Sequence, residues 1–199
     1  MTSRRLAVAA ALLLVVCGAL LITARHLSPG QSGTRTPSLT TVTEAAPSPS
    51  KEGSRLIIES VGLDVPLSAM TASRHLIDPP IIDAAYVIAN IGVSPSHHAQ
   101  GTVYIAMHAL PDGQHGPGNT LIDPTSRTIL VTPGDTILAD GTAYTVITVT
   151  TQSKATTSQD AQLWNPNTPD RLILITCLPT PTGETATHNI IISAEIQQP

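Results

Sequence analysis

An all-β barrel or sandwich is the fold class that this chain predicts, and three observations carry it. After residue 54, seven or eight short runs of β-branched and aliphatic residues follow one another with barely any helical periodicity. Gly, Pro and Asp-Gly punctuate them at intervals of roughly ten residues, the rhythm of short strands joined by tight turns. One run, Arg171 to Cys177, holds four consecutive branched aliphatics, the pattern of a strand buried on both faces.

In chain order, Arg4 and Arg5 precede an uncharged run, Leu6 to Ala24, whose 19 residues suffice to cross a bilayer as a helix. A cleaved signal peptide shares this layout. The run is longer than a usual signal core, however, and Ile22-Thr23-Ala24-Arg25 makes a poor cleavage site. A lipoprotein reading at Cys17 is weaker, because bulky Val16 precedes it. Residues 6–24 are therefore expected to be an uncleaved transmembrane signal anchor, with the basic residues 1–5 cytoplasmic and the rest outside. Residues 25–53 turn to Ser, Thr, Pro and Gly, with almost nothing to pack, and read as a disordered stalk. About 146 residues remain from Ser54, enough for one well-buried domain.

Within that domain, Arg55 to Val61 is a first strand closed by Gly62, and Val65 to Leu67 a short second one. Met70 to Asp78 is irregular. Pro80 to Ile88 fits a short helix, since Pro suits the first turn and Ile81, Ala84, Ala85 and Ile88 share a face. Asn90 to Gly101 is a loop holding His97 and His98. Thr102 to Met107 is a strand with His108 at its end, and Ala109 to Asn119 is turn chemistry, hence a loop or lid. Thr128 to Val131 is a short strand. Pro133-Gly134-Asp135 turns the chain into Thr136 to Ala139, and Asp140-Gly141 makes a hairpin into Ala143 to Thr150. Ser158 to Trp164 fits one or two helical turns. Arg171 to Cys177, a loop, and Asn189 to Ile196 complete the domain.

The formal net charge is −4, aromatics make up 2% of the chain, and Phe is absent. Nucleic acid is thereby disfavoured, since backbone binding needs positive charge and single strands need stacking rings. Cys17 lies in the apolar run, so Cys177 is the single thiol of the exported domain and has no internal disulfide partner. It stands where its strand ends, just before Leu178-Pro179, and Pro does not continue a central strand. A free Cys is most often a small buried hydrophobe; a thiol at the end of a rigid strand is also a good place for a nucleophile. Such a nucleophile needs a partner favouring the thiolate, and donors for the oxyanion. If the strands ending at His108 and Cys177 run parallel side by side, both side chains emerge on one rim. A hairpin-like return brings Thr187, His188 and Asn189 back to that rim.

Gly101 to His108, Pro133 to Ile137 and Leu172 to Cys177, in that order, resemble the sortases, cysteine transpeptidases of Gram-positive cell surfaces. The resemblance spans about Arg55 to Ile196, and Thr-Cys ending an aliphatic strand is its most specific part. It implies a closed eight-stranded β-barrel with one or two short helices, Cys177 as nucleophile and His108 as acid/base. The family's third residue is an Arg at the start of the last strand; here Asn189 takes that place. Arg171 is no obvious substitute, lying about 20 Å from Cys177 at strand rise. Thr176, His188 and Ala109 are the implied substrate-binding positions. The implied reaction cleaves an LPxTG- or LAxTG-like sorting signal between Thr and Gly through a Cys177 thioester. Its partners are surface proteins bearing a C-terminal sorting signal and an amine acceptor, either a peptidoglycan precursor or a pilin lysine. No cofactor is implied, and the layout is closest to the short class E/F actinobacterial sortases.

Competing readings remain open. His97, His98, His108 and His115 suggest a metal site, but no H-x-x-E-H or H-E-x-x-H spacing is present, so none is expected. An L,D-transpeptidase would set its His and Cys close together in sequence, unlike here. A weak or inactive sortase-like binding module is the chief alternative, because Asn189 replaces the Arg.

Overall fold

The computed structural model describes residues 53–73, 76–111, 114–180 and 182–197. The expected anchor, and the expected stalk up to residue 52, lie outside them. Among the described residues no helix is long and apolar enough to cross a membrane.

The strands are β1 (Arg55–Ile58), β2 (Leu63–Met70), β3 (Ala85–Ile88), β4 (Val103–Met107), β5 (Thr136–Ala139), β6 (Thr142–Ser153), β7 (Arg171–Leu178) and β8 (His188–Ile196). They close into one barrel in the order β1-β2-β3-β4-β7-β8-β6-β5. Two neighbouring pairs are parallel, β2 with β3 and β4 with β7; the others are antiparallel. The β5–β6 hairpin turns at Asp140 and Gly141, both at positive φ (50° and 77°), the backbone that an Asp-Gly pair adopts at low cost.

The aliphatic run of β7 is buried on both faces because the protein has two cores. Leu172 and Leu174 point into the barrel with Val103, Ile105, Ile190 and Ile192. Ile173 and Ile175 point outward, where they pack with Tyr104, Ala106, Ile191 and Leu163. Each such side chain contributes about 1.5–3 kcal/mol on burial, so β7 is pinned between its neighbours in one register. A cap, residues 161–165, covers the outer cluster. Trp164 stacks on Tyr104 at 5.3 Å between ring centroids, and Arg171 ties the cap down. Its guanidinium donates to the carbonyls of Gln162 (3.0 Å), Leu163 (3.2 Å) and Asn165 (2.6 Å) and to the Thr102 hydroxyl (3.1 Å).

Three expectations differ from the structure. Pro80 to Ile88 is not a helix: residues 80–83 form a bend and turn, and Ala85–Ile88 is a strand. Hydrogen bonding to β2 and β4 and burial of all four residues outweigh the weak helical pattern, while Ile81 and Ile82 stay exposed. Around Thr128 to Val131 only an isolated bridge, Ile122 to Ile129, forms. The helix expected at Ser158 to Trp164 lies earlier, as α1 (Lys154–Gln159). The Ser153 side chain caps it by accepting from the Thr156 amide (3.1 Å), and beyond it the Asp160 carboxylate accepts from the amides of Gln162 and Leu163, both at 3.0 Å.

Candidate active site

The two-core arrangement decides where the thiol points. Side chains alternate along a strand, so Cys177 follows Ile173 and Ile175 onto the outer face, and it is half-buried there as a free thiol. Parallel pairing sets Met107 opposite Thr176, and His108, the next residue, continues the outward parity of Tyr104 and Ala106. The antiparallel neighbour sets Asn189 opposite Cys177. Adjacent strands lie roughly 4.8 Å apart, so three neighbouring strands bring imidazole, thiol and amide to one end of one face.

All three line one cavity of about 650 Å³. Ile91, Ala106, Ile175 and Trp164 make its wall apolar; Leu76 to Pro79 border it on one side and α1 on another. Among the described residues Lys154 is the one Lys or Arg of its lining, and Asp78 and Asp160 are its carboxylates. The Asp160 carboxyl is held below the usual range, first by the amide of Leu163 and then by the Gln152 side chain. No hydrogen bond or ion pair engages the Lys154 ammonium or the Asn189 amide among the described residues, so both are open to a ligand.

The His108 ring is already engaged. Its Nε2 lies 2.8 Å from the Pro79 carbonyl, and among the described residues no hydrogen bond joins it to the Cys177 thiol. Its main chain is fixed from the other side by the Gly118 amide, which donates to the His108 carbonyl at 2.7 Å.

The remaining expected positions divide. Thr176 lines the cavity, but it is buried and its hydroxyl donates to the Met107 carbonyl at 2.9 Å, which locks β4 to β7. Ala109 is buried outside the lining, and His188 is exposed beside Thr187, also outside it. Neither is brought to the cavity. Arg171 is consumed by the cap, as its distance along β7 suggested. Another guanidinium does reach this end of the barrel: Arg127 donates to the carbonyl of Pro179, two residues past Cys177, and braces the loop after β7 from outside the cavity lining. Lys154 went unnoticed in the sequence because it is marked only by following the cap residue Ser153. Among the described residues no group of His, Cys, Asp and Glu could hold a metal ion.

The closed eight-stranded barrel matches the sortase fold, and the solved structures it resembles include sortases. The lid mutant of sortase A from Corynebacterium diphtheriae superposes with a TM-score of 0.52 at 16% identity, covering 73% of this chain and 70% of that one. The lid mutant of Streptococcus agalactiae sortase C1 gives 0.51 at 18%, covering 75% and 72%. Streptococcus pneumoniae sortase C gives 0.51 at 14%, covering 73% and 66%. No protein-family model matches the chain, and no curated protein matches it.

Proposed function

We propose that the chain is a membrane-anchored cysteine transpeptidase of the sortase type. The observation that carries this reading is the single cavity lined by the thiol of Cys177, the imidazole of His108 and the amide of Asn189. The chemistry is acyl transfer. The Cys177 proton passes to His108 as sulfur attacks the scissile carbonyl, and the oxyanion meets the Asn189 amide and the Lys154 ammonium. The C–N bond breaks, His108 gives its proton to the departing amine, and a thioester remains on Cys177. An incoming amine attacks that thioester, its proton returns through His108 to sulfur, and the thiol is restored.

The substrate is an LPxTG- or LAxTG-like sorting signal, cut between Thr and Gly, near the C-terminus of a surface protein. The acceptor is an envelope amine, from a peptidoglycan precursor or a pilin lysine. Residues 6–24 anchor the chain as a single pass with the barrel extracellular, and the layout is that of the short class E/F sortases. These assignments rest on the resemblance of the quoted motifs and on the apolar run and the stalk composition of the N-terminal residues.

A second reading, a sortase-like binding module with little or no turnover, is favoured by one observation. Asn189 offers a neutral amide where the resemblance implies an Arg, and a lost oxyanion donor costs about 10²–10³ in rate. Sorting-signal peptides mixed with the chain and a small amine distinguish the two. The transpeptidase releases the Gly-terminal fragment and forms the amine adduct, and both fail in Cys177→Ala and in His108→Ala. Binding of the peptide with neither product would establish the module instead.

A further inference from the structure

We propose that the Pro79 main-chain carbonyl orients the His108 ring and fixes its proton on Nε2, leaving Nδ1 to exchange protons with Cys177 and substrate. This deepens the transpeptidase reading and rests on it for the chemical role of Nδ1; the tautomer assignment itself does not.

A carbonyl oxygen only accepts, so the 2.8 Å contact requires the hydrogen on Nε2. In the neutral ring the lone pair is then on Nδ1. When the Cys177 proton moves to Nδ1, the Nε2–H bond to Pro79 becomes charge-assisted and shorter than its neutral form. A carboxylate ordinarily supplies this orienting contact in His-based nucleophilic sites. Among the described residues Asp78, Asp160, Lys154 and Cys177 are the titratable groups sharing the cavity with His108, and neither carboxylate bonds to it.

Both ends of the contact are held. On the His side, Gly116 and Gly118 press against its main chain: a Cβ on either would sit 2.7 and 2.9 Å from the His108 carbonyl oxygen. A Cβ on Gly118 would also meet the Thr176 hydroxyl at 2.1 Å. The Asn119 side chain fastens that turn, accepting from the amides of Leu110 and Gly116 (both 2.8 Å) and donating to the Leu110 carbonyl (2.9 Å). With the backbone of His108 so confined, the ring's remaining freedom is rotation about its own side-chain bonds. On the other side, Pro79 is buried and followed by Pro80, so the rings limit backbone rotation there. Asn90 holds the start of this loop by two 2.9 Å hydrogen bonds to the main chain of Ala72.

Long-range ¹H–¹⁵N correlation of the ¹⁵N-histidine-labelled full-length chain reads the tautomer directly, with His108→Gln assigning the signal. The expected result is an Nε2–H ring in the resting protein. In Pro79→Gly/Pro80→Gly, where the loop is freed, the carbonyl at position 79 is kept and the Pro79 ring is the one lining side chain lost, the Nδ1–H form rises. Turnover of a sorting peptide then falls about tenfold or more in kcat, within the range of general acid–base catalysis, with KM little changed and the pH profile displaced. An Nδ1–H ring in the unmodified chain overturns the proposal, as does a loop variant with unaltered tautomer and pH profile. An Nε2–H ring in a chain that turns over no peptide would leave the orienting contact standing and sink the transpeptidase reading alone.

Discussion

At the scale of single residues, the site depends on the Lys154 ammonium and the Asn189 amide, which no hydrogen bond or ion pair engages among the described residues. Lys154 matters most among those the sequence did not mark, because an ammonium sharing a cavity with a thiol favours anionic partners whatever the enzyme does. The comparison of iodoacetate with iodoacetamide as alkylating agents isolates this effect, since both need the same sulfur. Replacing Lys154 by Met is expected to lower the ratio of the two rates at Cys177 roughly threefold or more at low salt, as Coulomb attraction over several ångströms implies. Lys154→Arg should keep the ratio, and an unchanged ratio in Lys154→Met would place the ammonium away from the sulfur. Asn189 differs in kind. It provides geometry and one neutral donor, where a guanidinium would bring charge and a fork.

At the scale of elements, the cap after α1 is the part that chemistry can unfasten. Asp160 holds it through amide contacts, and Arg171 holds it through carbonyl contacts. The Asp160 carboxyl lies below its ordinary value, so the stability it contributes is present above the usual carboxylate range and is lost as pH falls through its folded value. Trp164 is the chain's single Trp, and its ring nitrogen donates to the Thr157 carbonyl, tying the cap to α1. Its emission is expected to shift red as pH falls below about 4, ahead of barrel unfolding, and Asp160→Asn should remove that step. An identical acid profile in the variant would assign the transition elsewhere.

The elements also show what could be read in advance. β7 was legible because burial on both faces forces an unbroken aliphatic run, and the β5–β6 hairpin because Asp-Gly carries its own turn geometry. β3 was not, since Ile81, Ala84, Ala85 and Ile88 make an equally good helical stripe. Only its pairing with β2 and β4 decides the matter, and pairing over such a span leaves no local trace.

At the scale of the whole molecule, one barrel places three residues distant in sequence on one outward face, under a cap built from the β6–β7 connection. Cys177, His108 and Asn189 were legible because strand ends and their order carry the information. The Pro79 contact was hidden, because a main-chain carbonyl has no residue type to mark it. Ala109 and His188, which the resemblance implies as substrate-binding positions, lie outside the cavity lining.

The central claim is that the Cys177 sulfur, served by His108, takes up an acyl group from a peptide. Intact-mass analysis of the full-length chain, quenched with acid during incubation with an LPxTG-type peptide, tests it most directly. The account predicts a mass increase equal to the peptide through its Thr, located at Cys177, reversed by hydroxylamine and missing from Cys177→Ala. A thiol that alkylates freely, yet never carries that acyl mass and releases no Gly-terminal fragment from an LPxTG- or LAxTG-type peptide, would contradict it.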